Sequence, residues 1–407
     1  MAEATRPAAT LLNEIRRAQR ADGPAAVLAI GTAVPANCVR QDEFADWYFR
    51  VTKSDHLTEL KAKMKRMCEK SGIKKRYFHH TEETIVAHPE LLDRAAPSLS
   101  ARLRISAETV PKLAATAAKI AIAEWGRPAA DITHLVVATN SGAGEPGADL
   151  RVAALLGLNP TVRRTLLYLH GCSAGLAAIG LAKDIAENTR GARVLVACAH
   201  ATILPFAAPD AARPDALVAM ALFGDGAGAA IVGAADPTNP IERPVFHIAA
   251  SSPAKLPGTE SAVTISLGEF GVDYRMSVDT PALVCGGVER CVADAVTALG
   301  CGPANASGGG GGWNGLFWAV HPGSRALLDS YEAALGLENG KLAASRRVLS
   351  EYGNMLGATV FFVLDEIRRR RQEGSDKECQ WGVMSGLGPG LTIETIILHA
   401  AGGQNEG

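Results

Sequence analysis

The 407-residue sequence predicts an α/β fold. Two observations carry that prediction. Short apolar, β-rich runs alternate with Ala-rich runs at helical spacing, the pattern of a sheet covered by helices. The order of strand then helix also recurs on both sides of a Pro-rich break near the middle of the chain. Hydrophobic residues make up 47% and charged residues 20%, a composition that buries well. The length exceeds what one core usually serves, roughly 100–200 residues, so more than one core unit is expected.

The elements follow in chain order. Ala25–Ile30 reads as the first strand. Gln41–Lys70 reads as helical, with Leu57, Leu60 and Met64 on one face. Val110–Trp125 is an amphipathic helix, and Ile132–Thr139 a buried strand. Arg151–Leu156 is a short helix. Thr165–Leu169 is a strand running straight into His170, Gly171 and Cys172. The helix Ser173–Asn188 follows, closed by Gly191. Arg193–Ala199 is a strand, and Phe223–Val232 (FGDGAGAAIV) a turn and strand. Asp236–Pro244 holds three prolines and mixed charge, which predicts a boundary between units 1–240 and 241–407. Beyond it come a strand at Val245–Ser251, a helix at Val288–Leu299 and a strand at Gly315–Val320. The helices Lys341–Gly353 and Leu356–Gln372 precede a last strand at Leu391–His399. This alternation predicts a parallel sheet. Ser307–Gly312 (SGGGGG) reads as a flexible surface loop.

Charge and cysteine usage exclude several functions. Lys and Arg total 41 against 42 Asp and Glu, which leaves no basic field for nucleic acid or an anionic membrane. Met1–Ala21 reads as a polar amphipathic helix without the apolar run of a signal peptide. No uninterrupted apolar stretch is long enough to span a bilayer. The expectation is a cytoplasmic protein. The eight cysteines contain no CxxC and no cluster with ligand spacing, so neither disulfides nor a metal site is expected.

Leu166–Gly175 (LLYLHGCSAG) is the first candidate for chemistry. It places Cys172 at a helix N-terminus, where backbone N–H groups and the helix dipole favour a thiolate nucleophile. A small buried cysteine in a tight turn fits the same residues. So does a competing motif: GCSAG matches G-x-S-x-G, with Ser173 as a hydrolase nucleophile and Asp365 and His399 as partners. Gly142–Gly147 (GAGEPG) has glycine spacing for a dinucleotide but lacks the acidic residue that should follow. Three further glycine-framed turns carry polar residues: His321 in WAVHPG, Asn354 in EYGNMLG, and the turn GLGPG from Gly386. A cysteine activated by a histidine, with an asparagine to hold a carbonyl oxygen, makes a complete set for thioester chemistry.

Together GCSAG, FGDGAGA, HPGS, YGNM and GLGPG resemble the plant type III polyketide synthases, the chalcone synthase family. The resemblance runs from about Glu14 to His399 in the family's order. The segments WGRPAADITHLVVATNSGA and LENGKLAASRRVLSEYGNM are most similar to its curcuminoid and alkylresorcinol synthase branch. It implies a thiolase-like fold, two similar α/β halves in five αβαβα layers, and a homodimer. The implied reaction is acyl transfer. A CoA-linked starter, phenylpropanoid or fatty acyl, is loaded onto Cys172 and condensed with malonyl-CoA, with no cofactor beyond these CoA thioesters. His321 and Asn354 would stabilise the thioester oxygen and the enolate, and His321 would keep Cys172 as thiolate. Lys63, Arg66 and Lys70, with Gly323 and Ala326, match the CoA site. Phe223 and Tyr274 match gatekeepers. Asn140, Ser141, Thr202, Pro205, Ile265, Leu356, Gly386 and Pro389 match the substrate cavity.

Departures from the family concern substrate more than reaction. Ser173 follows the cysteine where an aromatic is usual, and Asn140 replaces Thr. Pro205 replaces a polar residue, Ile265 a Gly, Leu356 a Ser and His200 a Glu. Glu145 replaces an apolar residue in a loop that crosses to the partner subunit. These changes imply a reshaped, more apolar cavity that disfavours chalcone formation. A non-catalytic thiolase-fold protein that binds acyl-CoA or a true synthase also fits them.

Overall fold

The computed structural model describes residues 8–93, 97–142, 144, 146–236, 241–297, 312–375 and 377–401. In chain order its strands are β1 (Ala25–Ala33), β2 (Asn37–Arg40), β3 (Lys75–Phe78), β4 (His134–Thr139), β5 (Arg163–Tyr168), β6 (Arg193–His200), β7 (Gly226–Ala234), β8 (Phe246–Lys255), β9 (Val263–Gly268), β10 (Gly271–Met276), β11 (Phe317–Val320), β12 (Trp381–Gly388) and β13 (Thr392–Ala400). Nine of these form one sheet in the order β11-β12-β13-β8-β1-β7-β6-β4-β5, and two small two-stranded sheets, β2–β3 and β9–β10, stand outside it.

The sheet is mixed rather than parallel. β4 runs parallel to β5 and β6, and β11 parallel to β12, while the remaining ladders are antiparallel. The alternation rule fails where strands connect without a crossover helix, as in the tight turn between β12 and β13. At the centre, β1 meets β8 through only Ala26↔His247 and Val27↔Phe246. The sheet is therefore two half-sheets joined at a narrow seam.

Alternating side chains along each strand face different layers. Leu135 and Val137 of β4 pack with the long outer helix Leu99–Trp125, whereas Val136 and Ala138 face inward. In the other half, Trp318 and Val320 pack outward against the helices Thr280–Thr297 and Arg325–Leu335, and Phe317 and Ala319 face inward. The inward residues of both half-sheets enclose two helices, Ala174–Asn188 and Thr359–Gln372. Helix, sheet, paired helices, sheet and helix make five layers. Both sheet faces are covered, which is why the strands read as continuous apolar runs.

The two inner helices begin against each other. A Cβ on Gly175 would lie 2.2 Å from the Gly357 carbonyl oxygen, and one on Gly357 would lie 2.8 Å from the Gly175 nitrogen. Only glycine lets these backbones approach so closely.

Several expected boundaries move. Gln41–Lys70 is two helices, Gln41–Val51 and Thr58–Lys70. The first ends at Thr52, whose hydroxyl donates back to the Tyr48 carbonyl at 2.7 Å. The helix expected from Val110 starts at Leu99 and carries Pro111 inside it. Gly386–Gly388 is the end of β12, and the rigid turn is confined to Pro389 and Gly390. Residues 237–240 of the expected boundary and the glycine tract up to 311 lie outside the described residues, as do Glu145 and residues 1–7.

Candidate active site

Cys172 occupies the single turn Gly171–Ser173 between β5 and the helix Ala174–Asn188. The chain reaches it through two left-handed residues, Leu169 (φ 59°) and Gly171 (φ 63°). A leucine there stores backbone strain. The turn is held from two sides. Gly171 N–H donates to Asn140 Oδ1 at 3.1 Å, tying it to the end of β4. Pro389, from the other half, packs where a Gly171 Cβ would be, at 2.6 Å, with Ile265 at 3.2 Å.

Asn354 sits after the helix Ala343–Tyr352, pinned to the segment around Phe223. Its N–H donates to the Leu222 carbonyl at 2.9 Å, and Gly224 N–H donates to the Asn354 carbonyl at 3.0 Å. Leu356 N–H donates to Asn354 Oδ1 at 2.8 Å, and Asn354 Nδ2 donates to the Gly323 carbonyl at 3.1 Å. These bonds decide which end of the amide is which. The remaining N–H faces Cys172, with Nδ2 3.6 Å from Sγ. His321 follows β11, its N–H donating to the Ser385 carbonyl at 2.7 Å. Its ring is buried, and both ring nitrogens lack a hydrogen-bond partner. Gly386 makes room for it, since a Cβ there would lie 3.2 Å from His321 Cβ.

Burial pushes the Cys172 thiol up to about 12, against a smaller opposite effect from Asn354. Burial pushes His321 down to about 3.

Behind this trio, Phe223 and Tyr274 meet edge to face at 5.1 Å between ring centroids. The fully buried Arg76 fixes Phe223 by donating to its carbonyl at 2.5 Å. Thr202 donates through both N–H and Oγ1 to Asp225 Oδ1, each at 2.6 Å. Ser141 Oγ lies 2.8 Å from His200 Nδ1. Leu356 adopts a left-handed φ of 51° and lines a small cavity with Asn140 and Gly171. Pro205 and Tyr274 line a separate open pocket with Tyr48 and Met220. Sequence reasoning missed Arg76, Asp225 and the Gly175–Gly357 contact. Asp225 and both glycines lay inside quoted motifs, but the motifs do not say what they touch.

The basic helix also resolves. Lys61 and Lys65 pair with Asp46, and Lys61 also with Asp55. Lys63, Arg66 and Lys70 have no ion pair among the described residues. Just beyond Lys70, a Cβ on Gly72 would lie 3.8 Å from the Arg325 side chain. That proximity puts the basic helix beside the start of the helix Arg325–Leu335, which carries the exposed Ala326 and follows Gly323.

The hydrolase arrangement is not assembled. Ser173 Oγ donates to the His170 carbonyl at 2.9 Å. Asp365 pairs with Arg368 and Arg369, and His399 meets Trp381 edge to face. Among the described residues no group of His, Cys, Asp and Glu could hold a metal, and no helix is long and apolar enough to cross a membrane.

The family model for chalcone and stilbene synthases, N-terminal domain, matches residues 12–237, and the C-terminal domain model matches 247–402. The chain belongs to the chalcone and stilbene synthase family. The five layers are accordingly the family's thiolase fold, and the protein is a type III polyketide synthase, an acyltransferase. Its chemistry is a cysteine-based decarboxylative condensation with malonyl-CoA. The chain is 57% identical over 392 residues to a bisdemethoxycurcumin synthase of Oryza sativa subsp. japonica, covering 96% of each.

Proposed function

We propose that this synthase loads a phenylpropanoid-CoA starter onto Cys172 and extends it with malonyl-CoA to a curcuminoid-type product. The likeness to a bisdemethoxycurcumin synthase supports that starter class over a fatty acyl chain. The Asn354 amide carries the reading. Its orientation is fixed by Leu356 and Gly323, and its free N–H faces the sulfur. A donor placed there stabilises negative charge on a thioester oxygen or an enolate, and it costs no reorganisation. His321 accepts the thiol proton as the starter arrives, because burial leaves its nitrogens bare. The imidazolium then faces the charge that decarboxylation creates.

Lys63, Arg66 and Lys70 hold the CoA phosphates, which suits three cations without ion-pair partners among the described residues. Phe223 and Tyr274 gate the chamber. The protein acts as a homodimer in the cytoplasm, with units 1–240 and 241–407 contributing the nucleophile and the His–Asn pair.

Purified protein incubated with malonyl-CoA and p-coumaroyl-, feruloyl- or long-chain acyl-CoA tests the proposal. The expected result is CO2 release, a phenylpropanoid-derived diarylheptanoid, and an acyl adduct on Cys172 that vanishes in Cys172→Ala. CoA binding without an adduct or CO2 would instead identify a non-catalytic binding protein.

A further inference from the structure

The turn Phe223–Asp225 runs from the helix Ala216–Leu222 into β7, and Asn354 is bonded to it. Phe223 and Asn354 form an isolated parallel bridge. Asn354 N–H donates to the Leu222 carbonyl at 2.9 Å, and Gly224 N–H to the Asn354 carbonyl at 3.0 Å. The Asn354 amide therefore moves with this turn. Two fully buried side chains hold the turn in place. Arg76, on β3, donates to the Met220 and Phe223 carbonyls. Asp225 gathers three donors on its carboxylate. Oδ1 accepts from Thr202 N–H and Thr202 Oγ1, each at 2.6 Å, and Oδ2 accepts from His79 N–H at 2.7 Å. Asp225 N–H in turn donates to the Tyr77 carbonyl at 2.8 Å. One residue thus ties the turn twice to the end of β3 and twice to the segment after β6. The packing leaves little slack. A Cβ on Gly224 would lie 3.0 Å from the Tyr352 carbonyl oxygen and 3.4 Å from Arg76 Cβ. Burial pushes the Asp225 carboxyl up to about 6, while its three donors and the Arg76 charge pull the other way. Such short bonds to a buried carboxylate belong to the strong, charge-assisted class.

We propose that Asp225 is a positioning residue for the condensation: by clamping the Phe223–Asp225 turn to β3 and to Thr202, it sets where the Asn354 amide stands relative to Cys172. The inference rests on the reading of Asn354 given above. Asp225 touches neither sulfur nor substrate. It acts through Gly224 and Leu222, whose backbone groups carry Asn354, and so through the 3.6 Å separation of Asn354 Nδ2 from Cys172 Sγ. The same carboxylate fixes Thr202, so one group places the amide and a residue of the cavity wall together. An asparagine has the same size but cannot replace it. Its amide oxygen can serve Thr202, but its NH2 then faces the His79 N–H, donor against donor, and the tie to β3 opens.

The test is a double-mutant cycle on malonyl-CoA decarboxylation, with CO2 release as the readout and thermal midpoints recorded for every variant. Asp225→Asn should lower kcat by about 100-fold, the usual cost of moving a reacting group by about 1 Å. Asn354→Ala keeps the backbone bonds to Leu222 and Gly224 but removes the amide. In that background Asp225→Asn should cost almost nothing more, because the group it positions is gone. A merely structural role would lower the rate equally in both backgrounds. Thr202→Val removes one of the three donors and keeps the Thr202 N–H. It should give a smaller loss of the same kind, also absent beside Asn354→Ala, and it decides the matter if Asp225→Asn does not fold. Additive losses, or wild-type rates in folded Asp225→Asn or Thr202→Val protein, overturn this proposal alone. Wild-type decarboxylation by Asn354→Ala overturns the reading of Asn354, and this proposal with it.

Discussion

Gly175→Ala should uncouple the nucleophile from its amide donor. The added Cβ would sit 2.2 Å from the Gly357 carbonyl oxygen and 2.8 Å from Val360 Cγ1. Ordinary contact begins near 3.4 Å, so one of the two inner helices must retreat by about 1 Å. Gly175 lies three residues after Cys172, and Gly357 three after Asn354. The retreat therefore lengthens the 3.6 Å separation of Asn354 Nδ2 from Cys172 Sγ. Overpacking of this kind costs about 1–3 kcal/mol of stability. A misplacement near 1 Å in a catalytic pair costs roughly 100-fold in rate. The assay compares malonyl-CoA decarboxylation and Cys172 acylation with the thermal midpoint of the variant. The expected outcome is a folded protein with a lowered midpoint and a rate loss far larger than its unfolded fraction explains. Wild-type rates in a folded Gly175→Ala protein would refute the claim that this glycine contact sets the catalytic spacing.

Other perturbations separate catalysis from stability. Asn354→Asp replaces the donor facing sulfur with a carboxylate and leaves the Gly323 carbonyl without its donor; malonyl-CoA decarboxylation should fall by about 100- to 1000-fold. Glu242 accepts from Trp125, Arg127 and Arg193, so Glu242→Ala strands buried charge and should cost about 3–5 kcal/mol in denaturant unfolding. His80, His200 and His321 are each pushed by burial from 6.5 to about 3. The unfolded chain then binds more protons between those values. Their contribution is present above pH 6.5 and is lost as pH falls towards 3, at roughly 1.4 kcal/mol per unit for each ring. Guanidinium midpoints at pH 7.5, 6 and 5 should decline, and His80→Phe should soften the decline; a flat profile would contradict the burial of these rings.

The sequence exposed the elements with strong periodicity and the residues framed by glycine. Cys172, His321 and Asn354 stood out because each follows an apolar run and precedes a turn, a local pattern. The helix from Ala174 and the strands around Val136 and Val196 fell within a residue or two of their places for the same reason. Tertiary relations were not legible. The strand pairs β2–β3 and β9–β10 are short and half-exposed, with no long apolar run to mark them. Strand direction in the sheet depends on how connections close, which alternation of elements does not encode. A helix N-terminus beside Cys172 can be read from sequence, whereas the depth of burial that pushes its thiol up cannot. Arg76 and Asp225 act through carbonyls and hydroxyls far along the chain, at separations no motif records.

The narrow seam between β1 and β8 also divides the chemistry. Cys172, which we propose carries the acyl group, belongs to one half-sheet unit, and His321 and Asn354, which we propose manage its charge, belong to the other. Neither unit holds a working set of groups, so the protein behaves as a two-input gate. Only the docked halves, held by apolar packing between the sheets more than by the seam's few hydrogen bonds, bring the sulfur together with its donors.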